Sequence, residues 1–298
     1  MSERAAAPTG VRLWLAGARP RTLGASVSPV LVGTAVASRS GPIVWWRAVA
    51  ALVVAVALQV GVNYANDYSD GMRGVDKVRR GPLRLTASGL VPPAAVKRAA
   101  AVSFAVAAVA GIALAVAVAW WLVLVGAACV LAAALYSGGP KPYASAGLGE
   151  VMVLVFFGFV ATCGSAYVHQ GRLTGLAVLA AVPMGLAACA ILLANNLRDV
   201  ESDRAVGKRT LAVRVGADTA RRLYTSCVAA AVGFVFFVAG ASTPRALIAL
   251  LAAPLAWRPV QIVDRPDADT RALVAALVAT SRFQLVLAAL LAVGLWSW

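Results

Sequence analysis

Two clusters of Asp and Asn residues are the part of this sequence whose residue types and spacing could do chemistry. In each cluster the amides and carboxylates recur every three or four residues, a spacing that places them on one face of a helix. Carboxylate and amide oxygens are the hard ligands that Mg²⁺ prefers, and this ion commonly links one or two carboxylates to substrate phosphates. The clusters therefore predict a site for Mg²⁺ and a diphosphate. One face comprises Asn63, Asn66, Asp67 and Asp70, with Asp76 following it, and the other comprises Asn195, Asp199 and Asp203, with Asn196 beside it.

Basic residues close to both clusters supply a second kind of phosphate ligand. Lysine and arginine donate charge-assisted hydrogen bonds to phosphate oxygens that a metal ion leaves free. The chain has one histidine, on the opposite side of the predicted membrane, and its four cysteines form no C-x-x-C pair. This argues against a His/Cys metal centre. The predicted diphosphate-binding residues are Lys77, Arg84, Arg198, Lys208 and Arg209.

The elements that must position these clusters are membrane-spanning helices. The chain has 298 residues, of which 61% are hydrophobic and only 13% charged, about half the charged share of a soluble domain. A spanning helix needs about 20 mostly apolar residues. We predict an all-α, polytopic membrane bundle with a tail at 1–21 and a single domain at 22–298. Its nine predicted spans are 22–38, 47–66, 98–118, 120–136, 150–168, 174–195, 222–240, 245–262 and 279–297.

The distribution of charge predicts one orientation for these nine spans. With the N-terminus in the cytoplasm, all but four of the 27 Lys and Arg residues lie on the cytoplasmic side, as the positive-inside rule requires. The C-terminus then lies outside. The net charge of +15 needs no nucleic-acid partner, because the basic residues are distributed between apolar spans. All twelve acidic residues also lie on the cytoplasmic side, which the rule does not predict and which calls for a functional explanation.

The two clusters occupy corresponding places in the chain. Each ends an even-numbered span, the two spans are four apart, and each runs into a long basic loop. This suggests two four-helix pseudo-repeats plus a ninth helix, with the two polar stripes facing one another across a central cavity. A solvated helix end explains one such stripe but explains two matched stripes poorly. A diphosphate on a lipid tail is the natural ligand, since the tail can lie in the apolar cavity.

Five motif blocks, in order, resemble one known family. They are a W…R-P-R-T-L segment from Trp14, N-Y-A-N-D-Y-S-D-G-x-x-G-x-D-K from Asn63, G-P-L-R at 81–84, Y-S-G-G-P-K-P-Y from Tyr136, and N-N-L-R-D-x-x-S-D-x-x-x-G-K-R-T-L at 195–211. Over about residues 12–220 the chain resembles the UbiA superfamily of intramembrane prenyltransferases. The five residues between Asp70 and Asp76 favour its 1,4-dihydroxy-2-naphthoate (MenA, menaquinone) branch over the ubiquinone branch.

This resemblance implies an activity, a cofactor and two substrates. A prenyltransferase of this branch joins the polyprenyl group of a polyprenyl diphosphate to 1,4-dihydroxy-2-naphthoate with loss of CO₂ and diphosphate, giving demethylmenaquinone in a bacterial plasma membrane. Mg²⁺ would be held by Asn66, Asp70, Asp76, Asp199 and Asp203. Asn63, Asp67, Asn195 and Asn196 would support these ligands, and Arg21, Tyr136 and Lys141 would bind the aromatic acid.

Other functions remain open from the sequence alone. A sister enzyme that prenylates 4-hydroxybenzoate, haem or a phosphoribosyl sugar would carry similar aspartate motifs. A transporter is a different class, but it would place ionisable groups deep in the bilayer, whereas these acids lie at the cytoplasmic mouth. A non-catalytic lipid-binding homologue is disfavoured because both aspartate motifs are intact.

Overall fold

Every regular element is helical in the part of the chain that the structure, a computed structural model, describes: residues 9–74, 83–139 and 142–297. Predicted site residues Asp76, Lys77 and Lys141 lie outside these ranges. The helices are α1 (Val11–Ala18), α2 (Gly24–Ser38), α3 (Trp45–Met72), α4 (Pro93–Ala117), α5 (Leu122–Ser137), α6 (Gly149–Gln170), α7 (Gly175–Arg198), α8 (Val200–Ala205), α9 (Leu211–Val215), α10 (Ala217–Gly240), α11 (Pro244–Val263) and α12 (Thr270–Leu295).

Seven of the described helices are long and apolar enough to cross a membrane: α3, α4, α6, α7, α10, α11 and α12. This confirms the all-helical, multi-span class. The other two predicted spans correspond to α2 and α5, which have only 15 and 16 residues. At about 1.5 Å per residue, such helices fall short of the ~30 Å hydrocarbon core. The prediction of nine spans therefore stays a prediction.

Helix α7 forms the centre of the larger packed core. Of its most apolar stretch, 67% is buried inside the protein, against 22% for α3. Met184 and Leu193 of α7 pack in one cluster with Tyr224 of α10 and with Phe283 and Leu287 of α12. Helices α3, α4 and α5 pack against one another to one side of this core, and a cavity lies between the two groups.

Helix α6 departs from regular α-helical geometry where it borders the cavity. Its segment Leu154–Val160 is a π-helix, a rare form that is frequently found at functional sites. At its centre Gly158 meets Gly185 of α7 so closely that a Cβ on Gly158 would lie 2.9 Å from the Gly185 Cα. This close contact fixes the wall of the cavity, because Phe156 and Phe157 of the same segment line it.

Part of the predicted N-terminal tail is an ordered helix packed on α3. The Asn63 side chain donates a hydrogen bond of 2.9 Å to the carbonyl of Ala18, and the Tyr64 hydroxyl donates one of 2.9 Å to the carbonyl of Trp14. Gly17 fits against Leu85 and Tyr64. Helix α1 is thereby held over the polar end of α3.

Candidate active site

One large cavity, of about 1090 Å³, brings residues of both predicted clusters together. Most of its wall is apolar and comes from helices α2 to α7 and α12. Asn63 and Asn66 of α3 contribute to it, as do Asn195 and Arg198 of α7. Amide side chains from the two polar helix ends therefore border the same space, whereas Asp67, Asp70, Asp199 and Asp203 are not among the residues that line it. The other cationic or phenolic lining residues are Arg19, Arg21, Arg84, Tyr136 and Tyr143.

The α3 cluster lies on one continuous helix, since α3 extends to Met72. Asn66 lines the cavity, and its buried Oδ1 has no hydrogen-bond partner within the described residues. Asp70 follows one turn later and is 93% buried, its exposed fraction being 7%. An unpaired buried amide oxygen costs about 1–3 kcal/mol, so Asn66 is suited to a ligand that completes its coordination.

Asp67 has a structural role. The spacing of the cluster alone does not distinguish this role from the metal-binding role predicted for Asp70. Its two carboxylate oxygens accept hydrogen bonds of 2.8 Å from the backbone N–H groups of Leu85 and Thr86. These bonds anchor the segment that enters α4. They also place Arg84 at the cavity wall.

A strained backbone turn after α1 positions two further arginines at the cavity. Arg19, directly after α1, has φ 56° and is the one non-glycine residue with positive φ among those described. This left-handed conformation is unfavourable for an arginine and persists only where its surroundings enforce it. Here the Asn63–Ala18 hydrogen bond holds the preceding residue. The turn places both Arg19 and Arg21 at the cavity.

The second cluster lies where α7 gives way to α8, not on a single helix. Helix α7 ends at Arg198 and α8 begins at Val200, with Asp199 between them. The Asp203 N–H still donates to the Asp199 carbonyl at 2.8 Å, which keeps the helical relation of the two acids across the break. Both carboxylates are 2% exposed.

Two ion pairs tie this cluster to neighbouring cations. The Arg198 guanidinium donates to both oxygens of Asp199, from Nε at 2.8 Å and from Nη2 at 2.5 Å. The Lys208 ammonium lies 3.7 Å from Asp203 Oδ1. Lys208 and Arg209 border a separate recess of about 560 Å³ together with Arg204 and Arg214. Of the predicted phosphate ligands, Arg84 and Arg198 thus line the large cavity.

Glu150 is a buried polar residue that the spacing of the clusters did not indicate. Its Oε1 accepts a hydrogen bond of 2.8 Å from Asn196, and its backbone carbonyl accepts one from the Cys189 thiol. The Asn196 side chain is therefore directed away from the cavity that Asn195 lines, and its hydrogen bond joins α7 to the start of α6. The only signal in the sequence was an isolated acid at the beginning of an apolar helix.

An aromatic pair borders the cavity on the α5 side. The Tyr136 and Tyr143 rings meet edge to face, with centroids 5.5 Å apart and an interplanar angle of 80°. The Tyr143 hydroxyl donates to the carbonyl of Ala132 at 2.9 Å, and burial raises the Tyr143 pKa to about 12. Tyr143 therefore stays a neutral phenol. Arg21 and Tyr136, predicted for the aromatic acid, both line this cavity.

The donor set at the polar end is compatible with a hard divalent cation. Within residues 9–74, 83–139 and 142–297, no three His, Cys, Asp or Glu side chains form one metal-binding group. The donors here are instead amide oxygens, with Asn66 lacking a partner for Oδ1, beside separate carboxylates. Mg²⁺ typically takes one or two carboxylates and completes its shell with water and phosphate oxygens, so these residues fit it.

Comparison with known proteins matches this chain to a family of prenyltransferases. The family described as "UbiA prenyltransferase family" matches residues 26–281. The 1,4-dihydroxy-2-naphthoate octaprenyltransferase of Mycobacterium tuberculosis is 49% identical over 245 residues, 82% of this chain and 84% of that protein. The protein of the same name from Escherichia coli is 40% identical, covering 72% of each chain. A UbiA homologue from Archaeoglobus fulgidus, solved with GPP and Mg²⁺, superposes with a TM-score of 0.66 at 14% identity, over 93% of this chain and 99% of that one.

Proposed function

Because this chain belongs to the UbiA prenyltransferase family, we propose that it transfers a polyprenyl group from polyprenyl diphosphate to 1,4-dihydroxy-2-naphthoate. The observation that carries this function is a single apolar cavity bordered by the polar ends of both α3 and α7. A hydrocarbon tail can occupy the apolar part while a charged head lies among the amides and arginines. The names of the relatives with 49% and 40% identity support the naphthoate as acceptor.

The polar end is assigned to the diphosphate and its metal ion. The proposed Mg²⁺ ligands are Asn66, Asp70, Asp76, Asp199 and Asp203. When bound, Mg²⁺ would neutralise the negative charge that develops on the departing diphosphate. The neighbour solved with GPP and Mg²⁺ supports this assignment through its fold.

The arginines of the cavity stabilise the same leaving group. Arg84 and Arg198 line the cavity, and guanidinium groups donate planar pairs of hydrogen bonds to phosphate oxygens. The Arg198 guanidinium is oriented by its two hydrogen bonds to Asp199. The apolar wall beyond them excludes water, which would otherwise react with the allylic cation left when the diphosphate departs.

The aromatic acid is assigned to the side of the cavity near α5 and the Arg19 turn. Arg21, Tyr136 and Lys141 are the proposed contacts, with a cation for the carboxylate and the phenol ring for the aromatic face. The electron-rich ring carbon that bears the carboxylate attacks the allylic cation. Loss of CO₂ then restores the aromatic ring, and the immediate product is the reduced, hydroquinone form of demethylmenaquinone.

The proposed membrane arrangement has nine spans in one domain, residues 22–298, with two four-helix pseudo-repeats and a last helix. The short helices α2 and α5 would be completed by flanking residues and local thinning of the bilayer. The N-terminus and the polar loops would lie in the cytoplasm of a bacterial cell and the C-terminus outside, which the distribution of basic residues supports.

The decisive test is mass spectrometry of the lipid product. Purified protein is incubated with Mg²⁺, a mixture of prenyl diphosphates, and 1,4-dihydroxy-2-naphthoate or 4-hydroxybenzoate. A prenylated, decarboxylated dihydroxynaphthalene as the main product, or the quinone that it forms on oxidation in air, supports the proposal. A prenylated 4-hydroxybenzoate, or no prenylated product from the naphthoate, would overturn it.

A further inference from the structure

Gln59 is a polar residue in the apolar part of the cavity to which the proposed chemistry gives no task. It lines the cavity on α3, and its neighbours on the same wall are apolar, among them Leu58 and Val62. Its buried Oε1 has no hydrogen-bond partner within the described residues. A buried amide oxygen left unpaired costs about 1–3 kcal/mol, so this position calls for a ligand that donates a hydrogen bond.

The position of Gln59 on α3 relates it directly to the polar end. Gln59, Asn63, Asn66 and Asp70 are spaced by four, three and four residues, so they follow one face of the helix. The Asn63 side chain donates its hydrogen bond to the carbonyl of Ala18. The other two amides on this face, Gln59 and Asn66, can therefore bind ligands. They are seven residues apart, about 10 Å along the helix axis. That distance is comparable with the separation of two meta-related groups on one aromatic ring plus a hydrogen bond of about 3 Å at each end.

The chemistry of the substrates decides which of them Gln59 can bind. A prenyl chain is a hydrocarbon and offers neither donor nor acceptor. The diphosphate belongs at the other end of this face, with Asn66 and the arginines. The remaining candidate is the aromatic acceptor, which carries hydroxyl groups as well as a carboxylate.

We propose, on the basis of the function proposed above, that the Gln59 amide is the specificity-determining contact for the acceptor. Its oxygen accepts a hydrogen bond from the ring hydroxyl that is remote from the carboxylate, while the carboxylate points toward the cavity arginines. The ring is thereby aligned along α3 with its reactive carbon facing the polar end. An aromatic acid without the remote hydroxyl leaves the amide unpaired and is rejected.

The test compares wild type with Gln59→Leu, which keeps the side-chain size but removes the amide. The ligands are 1,4-dihydroxy-2-naphthoate and 1-hydroxy-2-naphthoate, which lacks the remote hydroxyl. Their Kd values are measured by calorimetry in detergent, alongside kcat and KM for the dihydroxy acid. Wild type is expected to bind the dihydroxy acid about tenfold more tightly, and Gln59→Leu to bind both equally. Gln59→Leu is also expected to raise KM for the naphthoate and to leave KM for the prenyl diphosphate unchanged.

Controls separate this proposal from the function it rests on. The Kd values report the hydrogen bond alone, whereas turnover numbers would also reflect the different reactivities of the two aromatic rings. Leu58→Met alters the adjacent cavity wall with little change in volume and is expected to keep the wild-type preference, and Gln59→Met replaces Gln59→Leu if the latter fails to fold. Equal discrimination in wild type and in the Gln59 variant would overturn the role of Gln59. Wild type without naphthoate prenylation would instead contradict the proposed function.

Discussion

At the residue scale, neighbouring acids of one helical face have different tasks. Asp67 uses both carboxylate oxygens to hold the backbone of Leu85 and Thr86. Asp70 is not part of that anchor and lies one turn closer to the end of α3. The structure thus separates an acid that builds the site from an acid proposed to bind the ligand.

Replacement of Asp67 should lower stability more than it changes chemistry. In Asp67→Asn the amide nitrogen cannot accept the second backbone hydrogen bond, which leaves a buried N–H unpaired at a cost of about 1–3 kcal/mol. We expect a lower Tm in detergent and, at temperatures where the variant is folded, a KM for prenyl diphosphate raised through displacement of Arg84. An unchanged Tm would contradict the anchoring role.

Replacement of Asp70 should have the opposite profile. Because Asp70 is a proposed Mg²⁺ ligand, Asp70→Ala should lower kcat/KM for prenyl transfer by more than about 100-fold while Tm stays near the wild-type value. The matched control is Asp218→Ala, because this acid is 81% exposed in an ion pair with Arg221 and surface pairs contribute little. Full activity of Asp70→Ala at ordinary Mg²⁺ concentrations would refute the ligand assignment.

At the element scale, the contact between α6 and α7 sets the shape of the cavity. Gly158 and Gly185 allow the two backbones to meet, and small residues at such crossings are typical of membrane helices. The π-helical turn around Gly158 presents Phe156 and Phe157 to the cavity. The contact between Gly158 and Gly185 thereby connects the apolar wall of the cavity to α7, the helix that carries the second cluster.

Gly158→Ala should therefore destabilise the protein. The added Cβ would lie 2.9 Å from the Gly185 Cα and 3.1 Å from the Ala181 carbonyl oxygen, and overpacking of this kind costs about 1–3 kcal/mol. We expect a lower Tm for Gly158→Ala. Gly233→Ala in α10 is the control, because among the described residues no atom outside its own stretch of helix lies within 4 Å of its Cβ position and alanine is favoured in a helix. Equal Tm changes in the two variants would disprove the tight crossing.

At the scale of the whole molecule, the fold combines one core around α7 with a second group formed by α3, α4 and α5. The cavity lies between these groups, and four arginines line it: Arg198 at the end of α7, Arg84 before α4, and Arg19 and Arg21 after α1. Cations gathered at one end of an apolar cavity can bind the charged head of a lipid whose tail lies in the hydrocarbon region. This arrangement explains how one small membrane protein can hold a charged head and a long apolar tail together.

The proposed orientation makes a prediction that can be tested in cells. A membrane-impermeant thiol reagent should label Ser40→Cys, in the exposed turn between α2 and α3, from outside an intact cell. It should label Asp267→Cys, in the exposed segment between α11 and α12, only after the membrane is permeabilised. The native cysteines are at least partly buried, and a cysteine-free variant provides the background. The reverse labelling pattern would invert the proposed topology.

The sequence by itself determined the class of the protein and predicted the kind of site. Hydropathy identified the helices because a membrane imposes a minimum length and an apolar composition on each span. Periodicity located the Asn66 and Asp70 face because helical spacing is a local property. The aspartate motifs indicated the family, which the comparison with known proteins confirmed.

Only the tertiary structure decided what each polar residue touches, since hydrogen bonds between distant segments depend on packing. Spacing could not show that Asp67 holds the loop at Leu85, that Asn196 turns to Glu150, or that α7 ends before Asp199. It also gave no reason to select Gln59 from the apolar stretch of α3. An amide there becomes significant only when the surrounding helices enclose it in a cavity and leave its oxygen without a partner.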